Sequence, residues 1–221
     1  MAKPVTDRPA YIIMKYLYYF FMTNLYFILS NLLFLSVFYL ADFVFENILL
    51  FYITLIPMGP AITAVLSTMG KLVREKDLQV TKDFFKAYTL NFWPTMKYWL
   101  IQLTILLILA IDIGYSTNNR NIFSPVFLLL LVVCVFIMIY AFPIISRFEV
   151  KLKNLFIISV YSVFKFFKAT LLNITSMIAF GIIYWTFPSI SFLFSISLIG
   201  YFVMLNLQQP LSYLESKMSK G

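Results

Sequence analysis

Four long runs of this 221-residue chain carry no charged side chain: 16–41, 47–70, 121–146 and 169–214. A helix needs about 20 apolar residues to cross the hydrocarbon of a bilayer, so each of the first three runs predicts one span. The fourth is roughly twice that length, and Thr186-Phe187-Pro188-Ser189 near its middle supplies a turn between two helices. A further span fits between Lys97 and Asp112 if both charges snorkel to opposite interfaces. The pattern predicts an all-α, polytopic integral membrane helix bundle of six transmembrane helices, forming a single membrane domain over 1–221.

Charge gives the bundle a direction. With the spans placed as above, sixteen of the seventeen Lys and Arg residues fall on one side and only Arg120 on the other. Cytoplasmic loops carry the excess of basic residues in membrane proteins, so both termini, the segment 71–97 and the segment 147–168 are expected in the cytoplasm. The outer face is left with Asp42, Glu46, Asp112, Arg120 and the polar run Ser116-Thr117-Asn118-Asn119, loops too short for an external domain. The first run exceeds the core of a signal peptide and lacks a small-residue cleavage site, which predicts an uncleaved span. A net charge of +8 would suggest nucleic acid in a soluble protein, but here the bases flank spans and no nucleic-acid module is visible. Lipid headgroups are the expected counterions.

Both long cytoplasmic connections have helical periodicity. From Thr81 onward Phe84, Phe85, Tyr88 and Phe92 share one face, Lys82, Asp83, Lys86 and Thr89 lie towards the other, and Pro94 separates this helix from the next span. Leu152, Leu155, Phe156, Val160, Val163 and Phe167 form a similar stripe in the second connection. Two placements suit such short amphipathic helices: lying in the headgroup region with aromatics in the acyl boundary, or packing on one another as extensions of the spans. Phe84-Phe85-Lys86-Ala87 with Leu90-Asn91 recurs as Phe166-Phe167-Lys168-Ala169 with Leu172-Asn173. An internal repeat and chance recurrence in a chain with 25 Phe both account for the match.

The second span contains Ile56-Pro57-Met58-Gly59-Pro60-Ala61. Pro57, Gly59 and Pro60 weaken the helix at that depth, where irregular backbone survives only against protein or a water-filled cavity. The break either lines a site or is a kink that lets neighbouring helices approach. Asn24, Asn31, Gln102, Asn173 and Asn206 are the larger polar residues of the spans, and hydrogen bonds between helices explain them. No ionisable residue lies near a span centre, which disfavours proton-coupled transport. The chain has no His and one Cys, Cys134, so an internal disulfide framework and a Cys/His metal site are excluded. No catalytic residues, metal ligands or cofactor-binding residues are assigned.

Ile56-Pro57-Met58-Gly59-Pro60-Ala61, followed by Lys71-Leu72-Val73-Arg74, Asp83-Phe84-Phe85-Lys86 and Asn91-Phe92, resembles the YesL-like family of small bacterial integral membrane proteins over roughly residues 20–100. That family is a domain of unknown function, and its members tend to be encoded beside carbohydrate-uptake ABC importers. The resemblance implies a multi-pass protein of the bacterial cytoplasmic membrane, non-enzymatic and without cofactor, that acts as an accessory to a carbohydrate ABC importer by binding its permease subunits. Lys82, Phe84, Phe85, Lys86, Tyr88, Asn91 and Phe92 are the expected partner surface. The alternative is a small oligomeric transporter or channel for a neutral solute.

In a background lacking Cys134, cysteines substituted at Asn118 and Ser216 should differ towards an impermeant thiol reagent. In intact cells we expect labelling at 118 and protection at 216; the reverse pattern would invert the topology.

Overall fold

The computed structural model describes residues 9–118 and 123–218. Lys3, Arg8, Arg120 and Lys220, which enter the charge asymmetry, and Asn119 of the outer polar run lie outside the described residues. Among the described residues eleven α-helices follow one another: α1 (Pro9–Ser30), α2 (Leu32–Leu40), α3 (Ile48–Thr54), α4 (Met58–Glu75), α5 (Val80–Leu90), α6 (Phe92–Asn118), α7 (Ser124–Ile145), α8 (Leu152–Lys165), α9 (Phe167–Thr186), α10 (Pro188–Asn206) and α11 (Gln208–Met218). Six segments among the described residues are long and apolar enough to cross a membrane: α1, α3 with α4 as Ile48–Glu75, α6, α7, α9 and α10. The protein is therefore an all-α, multi-pass membrane bundle.

Prolines mark five of the helix starts. Pro60, Pro94, Pro125, Pro188 and Pro210 each sit in the first turn of α4, α6, α7, α10 and α11, where the missing N–H has no intrahelical partner to lose. The break between α9 and α10 falls at Phe187, within the turn the sequence announces. Two further breaks were not foreseen. Asn31 interrupts the first span between α1 and α2, its Nδ2 donating back to Phe27 O of α1 at 2.8 Å, a side-chain bond that competes with the backbone ladder. Leu207 ends α10 seven residues short of the charge-free run, because Pro210 cannot donate to the carbonyl of Asn206 and the chain restarts as α11.

Helix α4 lies at the centre. Twelve of its eighteen residues are buried, more than one amphipathic stripe could supply. Ala61, Ala64, Val65, Met69 and Leu72 join Tyr19 and Phe27 of α1 and Val80, Phe84 and Ala87 of α5 in one cluster. Leu66 and Val73 join a second cluster with Tyr98, Trp99 and Leu103 of α6, the end of α7, Val203 and Met204 of α10, and Leu211 and Leu214 of α11. Small residues permit this approach: a Cβ placed on Gly200 of α10 would lie 2.9 Å from Val65 Cγ1. Packing is uneven along the bundle. The buried residues of α7 run only from Ile139 to Ile145, and those of α9 are Ala169, Thr170 and Asn173. The opposite halves present side chains such as Leu129, Ile182 and Trp185, at 62%, 64% and 90% exposure, to the surroundings, as lipid-facing surfaces do.

The larger polar side chains in the spans pair across helices. Asn24 of α1 donates to Phe192 O at 2.9 Å and accepts from Ile196 N–H at 3.2 Å, two backbone groups of α10 that are four residues apart and each other's ordinary partners. Asn206 donates to Asn173 Oδ1 at 3.0 Å, and Tyr140 shares a 2.8 Å hydrogen bond with Thr170. Gln102 reaches Cys134 O at 3.4 Å. Asn31 is the exception, bonding back to Phe27 of the adjoining α1.

Replacing Asn24 by Leu removes both bonds to α10 and should lower stability by about 1 kcal/mol or more. Thermal unfolding of the detergent-solubilised variant measures this; an unchanged midpoint would show that the bridge adds nothing.

Candidate functional site

The break in the second span is a tightened turn rather than an unwound segment. Ile56 N–H donates to Ile53 O at 3.2 Å and Met58 N–H to Leu55 O at 3.1 Å, three-residue spacings that continue the chain past Pro57 without opening it. Pro57 has φ −66° and ψ −16°, a helical value. Trp99 of α6 seals the inner side. Its Nε1 donates to Leu55 O at 2.9 Å, and its ring lies so close to Gly59 that an added Cβ would come 2.7 Å from Trp99 Cδ1. Gly59 and Pro60 are buried and Pro57 half-buried. Of the two readings of the break, the geometry matches a kink that brings α4 and α6 together.

Helix α5 is fixed to the bundle by charge and by one buried ring. Asp83, in its first turn, accepts from Gln79 N–H at 2.9 Å and from Lys71 Nζ at 2.8 Å, so one carboxylate satisfies a helix N-terminus and ties α5 to α4. Phe84 points inward, 0% exposed, against Tyr26 of α1. The expected partner surface is corrected accordingly: Phe84 belongs to the protein's own core, because the face of α5 that meets α1 and α4 is the one carrying Val80, Phe84 and Ala87. Phe85 remains 47% exposed, Lys82 and Lys86 are exposed, and Tyr88, Asn91 and Phe92 are half-buried. Burial raises the pKa of the Tyr88 hydroxyl. Asn91 is the single residue between α5 and α6, and Pro94 lies inside α6 rather than between the helices.

The second connection packs similarly. Leu155 is buried, Leu152, Phe156 and Val163 are half-buried, while Val160 and Phe167 of the expected stripe face outward. Phe166 divides α8 from α9, whereas the matching Phe84 lies inside α5. The recurring words thus occupy unlike positions.

A small polar lock closes the loop between α4 and α5. Asp77 Oδ1 accepts from Lys15 Nζ and from the Tyr19 hydroxyl, each at 2.7 Å, while Leu78 N–H donates to the same hydroxyl at 3.3 Å. Hydrogen bonds from Lys15 and then Tyr19 hold the Asp77 carboxyl down to about 2. Lys76, at φ 60°, ends α4 in the left-handed conformation that lets the loop turn back. Nothing in the periodicity marks these partners, since Lys15 and Asp77 meet only once α1 lies beside α4.

These elements surround a cleft of about 1030 Å³, lined by α4, α5, the start of α6, the end of α7 and the chain leading into α8. Lys71, Arg74, Lys86, Lys97, Arg147 and Lys151 line it, with Asp83 and Glu149 as its acids. We call this the basic end of the bundle. A second cavity, of about 240 Å³, lies between α4, α7, α9 and α10 and has apolar walls, including Leu66, Met138 and Met177. Among the described residues no group of three or more His, Cys, Asp or Glu is placed to hold a metal.

Two measurements check this geometry. Gly59→Ala should cost about 1–3 kcal/mol by forcing Trp99 aside, and Trp99→Phe about 0.5–1.5 kcal/mol by removing the bond to Leu55 O; unfolding of both variants at wild-type midpoints would contradict the sealed kink. Asp77 has a depressed folded pKa, so its contribution is present above the unfolded value of about 3.9 and is lost as pH falls through the folded one. The stability difference between wild type and Asp77→Asn should therefore persist at pH 6 and vanish near pH 2; a constant difference would exclude the Lys15 and Tyr19 partnership.

Comparison with curated proteins gave no match, and comparison with solved structures gave none. Over residues 20–113, which hold the break, α5 and most of α6, the chain is similar to the family described as Protein of unknown function, DUF624.

Proposed function

We propose that this is a non-enzymatic accessory protein of the bacterial cytoplasmic membrane that binds the permease subunits of a carbohydrate ABC importer through its basic end, which faces the cytoplasm. The observation that carries the reading is a set of large apolar side chains left outside the core beside lysines: Phe85, Leu90 and Trp93, at 47%, 67% and 69% exposure, next to Lys82 and Lys86. Aromatic anchors with a charged rim are the composition of protein interfaces. The resemblance of the 20–100 region to YesL-like proteins supports an importer as the partner. Transport of a neutral solute by the protein itself is the competing function. The walls of the membrane-embedded cavity offer a sugar few hydrogen-bonding groups, which favours the accessory role.

Purification from the native host in mild detergent should recover importer permease subunits. Phe85→Ser combined with Lys86→Glu should reduce that recovery by about fivefold or more, with the variant still inserted in the membrane at wild-type level. Recovery of no importer component, together with passage of a neutral solute through liposomes containing the pure protein, would replace this reading with the transporter.

A further inference from the structure

The cleft at the basic end holds more positive charge than the protein neutralises. Six basic side chains line it against two acidic ones. Lys71 is matched by Asp83 and Glu75, at 2.8 and 3.8 Å, and Arg147 by Glu215. Arg74, Lys86, Lys97 and Lys151 have no ion-pair partner among the described residues. Arg74 and Arg147 line the same cleft from different elements. Like charges gathered in one cleft cost free energy that a bound anion would offset. The bases come from four separate elements, so the cleft is assembled by tertiary packing and is distinct from the solvated face of one helix. Ser67, Asn91 and Ser146 add polar groups to its walls, while Leu90 and Trp93 provide apolar surface beside the charges.

We propose that this cleft binds a phosphate-bearing anion, with the phosphate held by Arg74, Lys97, Arg147 and Lys151. Two arginines with two lysines suit a phosphate, whose several oxygens accept forked guanidinium bonds and ammonium donors together. The volume accommodates a ligand well beyond inorganic phosphate. Two sources present this chemistry at the end of a membrane bundle: the headgroup of an anionic phospholipid, which basic pockets between spans recognise, and a free phosphate ester. The inference stands on the cleft alone and does not depend on the importer reading.

The test uses the full chain in nanodiscs. One arm compares thermal midpoints in pure phosphatidylcholine with midpoints in phosphatidylcholine containing phosphatidylglycerol. The other titrates glucose 6-phosphate into phosphatidylcholine nanodiscs. A rise in the first arm identifies a headgroup as the ligand, and saturable binding in the second identifies a soluble ester; either supports the site if it depends on the cleft. Lys97→Gln with Lys151→Gln should weaken the response by about tenfold in ligand concentration, because two charge-assisted contacts are lost. Lys153→Gln with Lys168→Gln removes the same charge from exposed positions outside the cleft and should leave the response within about twofold. All four lysines are exposed, so both variants are expected to fold, and Arg74→Gln offers an independent change within the cleft. No response in either arm, or equal loss in the two double variants, overturns the proposal.

Discussion

Close packing around α4 is the constraint on which the rest of the bundle depends. In a bilayer the hydrophobic effect does little to hold helices together, so contact must come from shape and from hydrogen bonds. Helix α4 meets this with small residues and a kink. Gly59 admits the Trp99 ring, Gly200 admits Val65, and Ala61 and Ala64 are fully buried. The two prolines turn the span without exposing it, because the tightened turn and the Trp99 indole occupy the carbonyls of Ile53 and Leu55. With α4 fixed, α1 and α5 pack in one cluster and α6, α7 and α11 in the other, with α10 reaching both.

The basic end follows from that arrangement. Lys71 and Arg74 lie on the last turns of α4, Lys86 on α5, Lys97 near the start of α6, and Arg147 just past α7. Their convergence is secured by a few ionic contacts at the rim: Lys71 to Asp83, Lys15 to Asp77, and Arg147 to Glu215, which also anchors α11. Exposed pairs of this kind contribute little stability singly, but each spans two elements. At the rear of the same end, Lys165 lies 3.7 Å from the centre of the Tyr213 ring and donates to the Tyr161 hydroxyl at 2.9 Å. Those contacts keep the Lys165 ammonium above its ordinary pKa and lower that of Tyr213.

Much of the architecture was legible because charge-free length and proline position act locally. The six spans, the hairpin at Phe187 and the break at Pro57 needed no knowledge of partners. Asn31 and Pro210 also break helices, yet an apolar run hides them: one acts through its side chain, the other through a donor missing from the next turn. Phe84 and Phe85 show the limit of periodicity, since adjacent aromatics on one face divide between core and surface once Tyr26 of α1 takes its place. The cleft was the least legible feature. Its bases were visible as an orientation signal, but that signal counts charges and does not pair them; only the packing of α4, α5, α6 and α7 brings them to one volume.

The central claim is that side chains of α4 pack directly onto the backbone of α10 at Gly200, with the other helices arranged about that contact. It is tested by placing cysteines at Val65 and Gly200 in a chain lacking Cys134. A Cβ at 200 would lie 2.9 Å from the atom that Val65→Cys replaces with sulfur, and this separation is about 3 Å across a disulfide. Mild oxidation of the membrane-inserted variant should form an intramolecular bridge that a thiol reductant reverses. Two thiols that are both reactive yet never bridge would contradict the packing on which this account rests.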